Sequence, residues 1–407
     1  MAQGEAGEAV RARLNVSQSA YRPDIDGLRA VAVLAVVLYH LGGFGVTGGY
    51  GGVDVFFVIS GFLICGILKA EIAQGRFSLA TFYERRCRRI FPALFAVLAV
   101  TTIAAVAVLL PRDLRDFGES LRSVAAFVAN YYFARKTGYF DAAAEEKPLL
   151  HLWSLSVEEQ FYIFFPLLLM LVARYRPKWC VPVFATAAAA SLALSAHLVA
   201  SDPARAYFAT PGRAWELLVG VLVTYAVAPR ARIAREGLAA LGLALIAYGC
   251  FVYTDATPFP GPSALVFCVG AGLVIVAGSG GPTLAGRLLS TPPMVGIGLI
   301  SYSLYLWHWP LIVFLRYRFQ QVFEADGSMP IGLQLALLAA SVLLAYLSWR
   351  FIEAPFRRAK ARRSRVFAWF GGLTAALLGI SLALTISRGL PSRWPADVLS
   401  LIDETEL

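Results

Sequence analysis

The chain has 407 residues, 58% of them hydrophobic and 15% charged, with a mean hydropathy of +0.65. So few charges cannot cover a soluble domain of this size, which excludes a water-soluble fold. The net charge of +10 does not point to nucleic acid, because the basic residues fall between apolar segments, where membrane proteins carry their orientation signals.

In chain order, residues 1–28 are polar and lack an apolar core, so they do not read as a cleavable signal peptide. The first apolar segment is expected to be an uncleaved anchor. Eleven apolar segments stand out, at about 29–45, 52–70, 90–110, 153–173, 180–199, 213–228, 236–254, 263–279, 297–316, 331–352 and 366–386. Each approaches the ~20 residues with which a helix crosses a bilayer core. The expected fold is all-α, a polytopic membrane protein of about eleven transmembrane helices. A twelfth candidate, 117–134, is interrupted by Glu119, Arg122 and Asn130. Eleven crossings from a cytoplasmic N-terminus put about two thirds of the Lys and Arg inside, and a twelfth would level the two sides. Segment 117–134 is therefore expected to be an outer-face or re-entrant helix, with the C-terminus extracytoplasmic. No internal repeat or low-complexity linker appears, so the chain reads as one membrane domain.

Ionisable side chains within apolar segments are costly and mark sites or pathways. In "DIDGLRAVAVLAVVLYHLGGFGV", Arg29 is followed eleven residues later, ~16 Å along a helix, by His40. Arg29 is expected near the cytoplasmic surface, as an anchor or a functional group. His40 falls in the outer part of the span, where an imidazole can exchange protons near neutrality. "GGVDVFFVISGFLI" opens the second span with Asp54, which can orient His40 or cap its own helix. "FYERRCRRIFP" places Arg85, Arg86, Arg88 and Arg89 at the start of the third. Their guanidinium forks suit a phosphorylated cofactor entering from the cytoplasm, and equally anionic lipid.

In "HLWSLSVEEQFYIFFPLLL", Ser156 and Glu159 fit a capping box, whereas Glu158 lies about 100° round the helix and can enter a cavity at the depth of His40. His151 and Trp153 are expected as interfacial anchors. "SYSLYLWHWPLIVF" sets His308 in the outer half of the ninth span, as a site residue or packed between Trp307 and Trp309. Arg213 and Glu216 can pair at i,i+3. Cys65, Cys87, Cys180, Cys250 and Cys268 show no CxxC spacing and read as packing residues, with no metal site expected.

These five stretches, followed by "FIEAPFR", resemble in order the acyltransferase-3 family, the integral-membrane O-acyltransferases that modify O-antigen, peptidoglycan and other surface glycans. The resemblance runs from Tyr21 to about Arg358. The family's Arg-x10-His motif falls on Arg29 and His40. Its Arg-x-x-Arg motif falls on Arg86 and Arg89, although Arg85 and Arg88 share the spacing. The resemblance implies acetyl-CoA or another acyl-CoA bound from the cytoplasm, His40 essential to transfer, and an acceptor hydroxyl on the outer face of a bacterial inner membrane. It divides the chain into a segment 1–28, an acyltransferase domain 29–358, a basic loop with an additional helix 359–386, and a tail 387–407. Many members continue into an extracytoplasmic SGNH hydrolase-like domain, and the tail from Ser387 looks like the start of that linker.

The expected mechanism has arginines holding the CoA phosphates while His40 takes the acceptor proton, with Glu158 or Asp54 orienting the imidazole. An acylated His40 is an open alternative. Partners expected are acyl-CoA, a glycan acceptor, membrane lipids and an SGNH domain in cis or trans. A small hydroxylated natural product is the alternative acceptor. A proton-coupled transporter is a reading of a different class that the same buried His, Glu and Arg would fit.

Overall fold

A computed structural model describes residues 21–136, 146–319, 329–359, 361–396 and Leu399. Expectations for residues 1–20 and for most of the tail past Ala396 lie outside the described residues. Every regular element among them is helical. The first helices are α1 (Pro23–His40), α2 (Gly52–Ala73), α3 (Leu79–Val108), α4 (Pro111–Ala125) and α5 (Ala129–Lys136). Then come α6 (Trp153–Tyr175), α7 (Cys180–Ser201), α8 (Pro203–Phe208), α9 (Thr210–Val223), α10 (Arg232–Val252) and α11 (Leu265–Ser279). The last are α12 (Leu284–Leu289), α13 (Pro292–Arg318), α14 (Ile331–Ser348), α15 (Ala354–Arg358) and α16 (Arg363–Ile386).

Among the described residues, nine helical runs are long and apolar enough to cross a membrane, and they match the second to fifth and seventh to eleventh expected spans. The protein is an all-α polytopic membrane protein. The first expected span is α1, whose first two turns carry Asp24, Asp26 and Arg29. The sixth is α9, only 14 residues long. At 1.5 Å per residue it covers about 21 Å, less than the ~30 Å core. Segment 117–134 is not one helix. It breaks between α4 and α5, where Phe127 has a φ of 53°.

The centre of the bundle is α1, packed between α13 and α2. Leu28, Ala32, Val33, Val36 and Val37 are fully buried, and together they occupy several sides of the helix. An α-helix that is apolar all round belongs in the interior. Glycines permit the close approach, as small residues do between membrane helices. A Cβ on Gly298 would lie 1.9 Å from the Asp26 carbonyl oxygen, and one on Gly52 would lie 2.3 Å from that of Ala32. Peripheral α16 instead exposes Trp369, Leu382 and Ile386, as a surface against hydrocarbon does. It leans on α4, where the Ser381 hydroxyl donates to the Gly118 carbonyl at 2.6 Å.

Candidate active site

Two cavities lie along α1. The first is lined by Arg29, Arg86 and Arg89 together with Ser60, Glu158 and Tyr302. Arg86 and Arg89 are three residues apart on α3 and so share a face. Arg29 reaches Asp26 at 3.5 Å. Among the described residues, neither Arg86 nor Arg89 has an ion pair or hydrogen-bond partner, although Arg86 rests 3.8 Å from the centre of the Tyr162 ring. Their N–H groups are left for whatever enters the cavity. The other two arginines of the run are spent on protein. Arg85 pairs with Glu71 on α2. Arg88 pairs with Glu84 at 2.9 Å and donates to the carbonyls of Ala359 and Ala361, both at 2.7 Å. The structure thus separates two registers that share one spacing.

The second cavity is lined by His40, His151, Tyr50, Trp153, Tyr207 and Trp309, among others. Three of the chain's four histidines meet around it. The His40 Nδ1 lies 3.0 Å from His308 Nε2, and His308 Nδ1 lies 2.8 Å from the Tyr305 carbonyl and 3.2 Å from that of Leu304. A nitrogen facing carbonyl oxygens must carry the proton. In the neutral pair, His308 therefore presents an unprotonated Nε2 and accepts from His40 Nδ1–H. That leaves the His40 Nε2 lone pair unused, so the hydrogen-bond chain assigns the tautomer of a general base. The ring of Trp309 stands edge-on to His40 at 4.6 Å and is held by its Nε1–H to the Lys147 carbonyl.

The family described as "acyltransferase domain" matches residues 22–350. The chain belongs to the acyltransferase-3 family. It is similar to O-acetyltransferase OatA of Staphylococcus aureus, in strains NCTC 8325 / PS 47 and COL alike, at 34% identity over 354 residues. That match covers 83% of this chain and 57% of the relative, so the chain spans little more than half the length of these curated proteins. No solved structure matches it. Within this acyltransferase-3 domain, Arg29 and His40 of the Arg-x10-His motif each line one of the two cavities.

Several expectations are corrected. The partner of His40 is His308, not Glu158 or Asp54. Glu158 lies in the arginine cavity, where its Oε1 accepts from Ser60 at 2.5 Å and from Tyr162. Asp54 sits 3.2 Å from Arg213, which also reaches Glu216 at 3.2 Å. All three are buried, and the rings of Phe57, Trp153, Tyr207 and Phe259 surround the guanidinium. The capping box is absent as well. A turn at Leu150–Leu152 starts the helix early, so Ser156 falls inside it and donates to the Leu152 carbonyl. His151, read as an interfacial anchor, is a buried wall of the histidine cavity. The rarity of histidine in this chain was the available signal. Ser60, Ser154 and Tyr305 also went unassigned, since nothing in the sequence singles out a hydroxyl in an apolar span.

Proposed function

We propose that this chain is a membrane O-acyltransferase that moves an acyl group, most simply acetyl, from cytoplasmic acyl-CoA to a hydroxyl of a surface glycan. The observation that carries this reading is the His40–His308–Tyr305 carbonyl chain beside a cavity lined by two uncommitted arginines. Guanidinium groups match phosphate oxygens in charge and fork geometry, so Arg86 and Arg89, with Arg29, would hold the CoA phosphates. Family membership and the name of the relatives support acetyl transfer to oxygen. The positive-inside bias supports entry of the donor from the cytoplasm of a bacterial inner membrane.

In the reaction, His40 Nε2 takes the proton of the acceptor hydroxyl as its oxygen attacks the thioester carbonyl. The C–O bond forms, the C–S bond breaks, and the departing CoA sulfur recovers the proton from the imidazolium. His308 keeps His40 in the productive tautomer, and its Nε2 accepts the hydrogen bond that stabilises the cation. A thiolate leaves readily, so alignment in a site shielded from water is the main demand.

The test is His40→Gln. Glutamine can keep a hydrogen bond to His308 but cannot accept a proton. Turnover of acetyl-CoA by the purified protein with membrane glycan is expected to fall by about 10²–10⁴, the usual worth of a general base, while CoA affinity persists. A folded variant with near-normal turnover would remove His40 from the chemistry. A transporter would release no free CoA from the unmodified protein.

A further inference from the structure

We propose that Val53 and Tyr305 form an acyl-size filter between the two cavities, admitting a short acyl group to His40 and stopping a longer one. The proposal rests on the acyl-transfer reading above. The donor would be anchored by its phosphates in the arginine cavity, whereas the base lines the histidine cavity. Among the described residues, only Val53 and Tyr305 line both. Leu63 and Val53, which both line the arginine cavity, are ten residues apart on α2, about 15 Å of helix. An extended pantetheine arm covers a distance of this order. The thioester then reaches the wall, and the acyl chain is the part that must pass it.

The two sides of the wall differ in how far they can yield. Val53 is fixed. It stands in the first turn of α2, pressed onto α1 by glycines whose missing Cβ atoms leave no slack, with Gly49 against the Ala35 carbonyl and Gly52 against that of Ala32. Tyr305 is latched. Its hydroxyl is shared between the Ser154 hydroxyl at 2.6 Å and the His151 carbonyl at 2.8 Å. Ser154 lines one cavity and His151 the other, so the latch closes across the boundary itself. The Tyr305 carbonyl meanwhile holds His308, and the Tyr305 ring lies 5.6 Å from the His308 ring and 5.5 Å from that of His151, so the latch stands against the histidines themselves. Val53 therefore sets the width of the passage, and the Tyr305 latch sets how readily it opens.

The experiment uses two unreactive thioethers, S-ethyl-CoA and S-butyl-CoA, and measures their affinities for the purified protein, with no acceptor needed. A methylene that does not fit an apolar site costs tenfold or more in discrimination. The unmodified protein is expected to favour the ethyl thioether by at least about tenfold. Val53→Ala and Tyr305→Phe should each shrink that ratio to within about threefold, and Val53→Ile should enlarge it. An unmodified protein that binds both thioethers equally overturns the filter. So does a uniform weakening in both variants with the ratio intact, which is the mark of a structural role. If neither thioether binds the folded, unmodified protein, the acyl-CoA reading falls and the filter with it.

Discussion

Arg213 and the pair Arg86/Arg89 are the same residue type in two opposite settings. Arg213 is 1% exposed, faces two carboxylates and is walled by aromatic rings. Its charge is neutralised within the protein. Arg86 and Arg89 line open space and, among the described residues, have no carboxylate within ion-pair distance. Glu159 lies nearby without pairing, and Glu158 is engaged by Ser60 and Tyr162. The difference teaches that a charge in a membrane protein is informative through what it leaves unspent. The sealed guanidinium organises the walls of the histidine cavity, including Trp153 and Tyr207, and the open ones would, on the function proposed above, meet an anion.

Substitution along this series should separate the two roles. Arg213→Ala strips a buried cluster of its only cation and leaves two carboxylates facing each other, at a cost of about 3–5 kcal/mol. A steep loss of thermal stability in detergent is expected, and a stable, fully folded variant would deny the cluster its structural role. Arg86→Ala or Arg89→Ala should cost about 1.5–3 kcal/mol in acyl-CoA affinity with little change in thermal stability, and Lys should rescue poorly. Equal affinity in the double variant would return both residues to topology. Arg88→Ala should lower stability by about 1 kcal/mol, through the lost contacts to Glu84 and to the carbonyls before α16, and leave donor affinity unchanged. Arg85→Ala, breaking a half-exposed pair, should change either quantity by less than about 1 kcal/mol. A larger effect on affinity from Arg85 or Arg88 than from Arg86 would invert the assignment of the two registers.

Span positions were legible because twenty-residue apolar runs have few other uses, and His40 because lipid penalises an idle imidazole. The register of the arginine run was not legible. Arg85/Arg88 and Arg86/Arg89 have identical spacing, and only the tertiary packing of α3 decides which face meets the cavity. The pairing of His40 with His308 joins residues 268 positions apart, beyond the reach of any local pattern. Ser156 and Glu159 misled for the opposite reason. Their local pattern was complete, but the turn at Leu150–Leu152 had already begun the helix. The length of α9 was overestimated because apolar residues continue past Val223, where the helix itself ends.

Helix α1 finally acts as a ruler. Arg29 and His40 stand eleven residues apart on one continuous helix, three full turns and about 20° more, so they project toward nearly the same side. On the function proposed above, the distance between the anchor for one end of a substrate and the base for the other is written into a single element. The surrounding helices can shift against one another without altering it. One inserted residue would lengthen that ruler by only about 1.5 Å yet turn its far end by about 100°, pointing the imidazole into a neighbouring helix. The interval tolerates many apolar substitutions in its composition and almost none in its count.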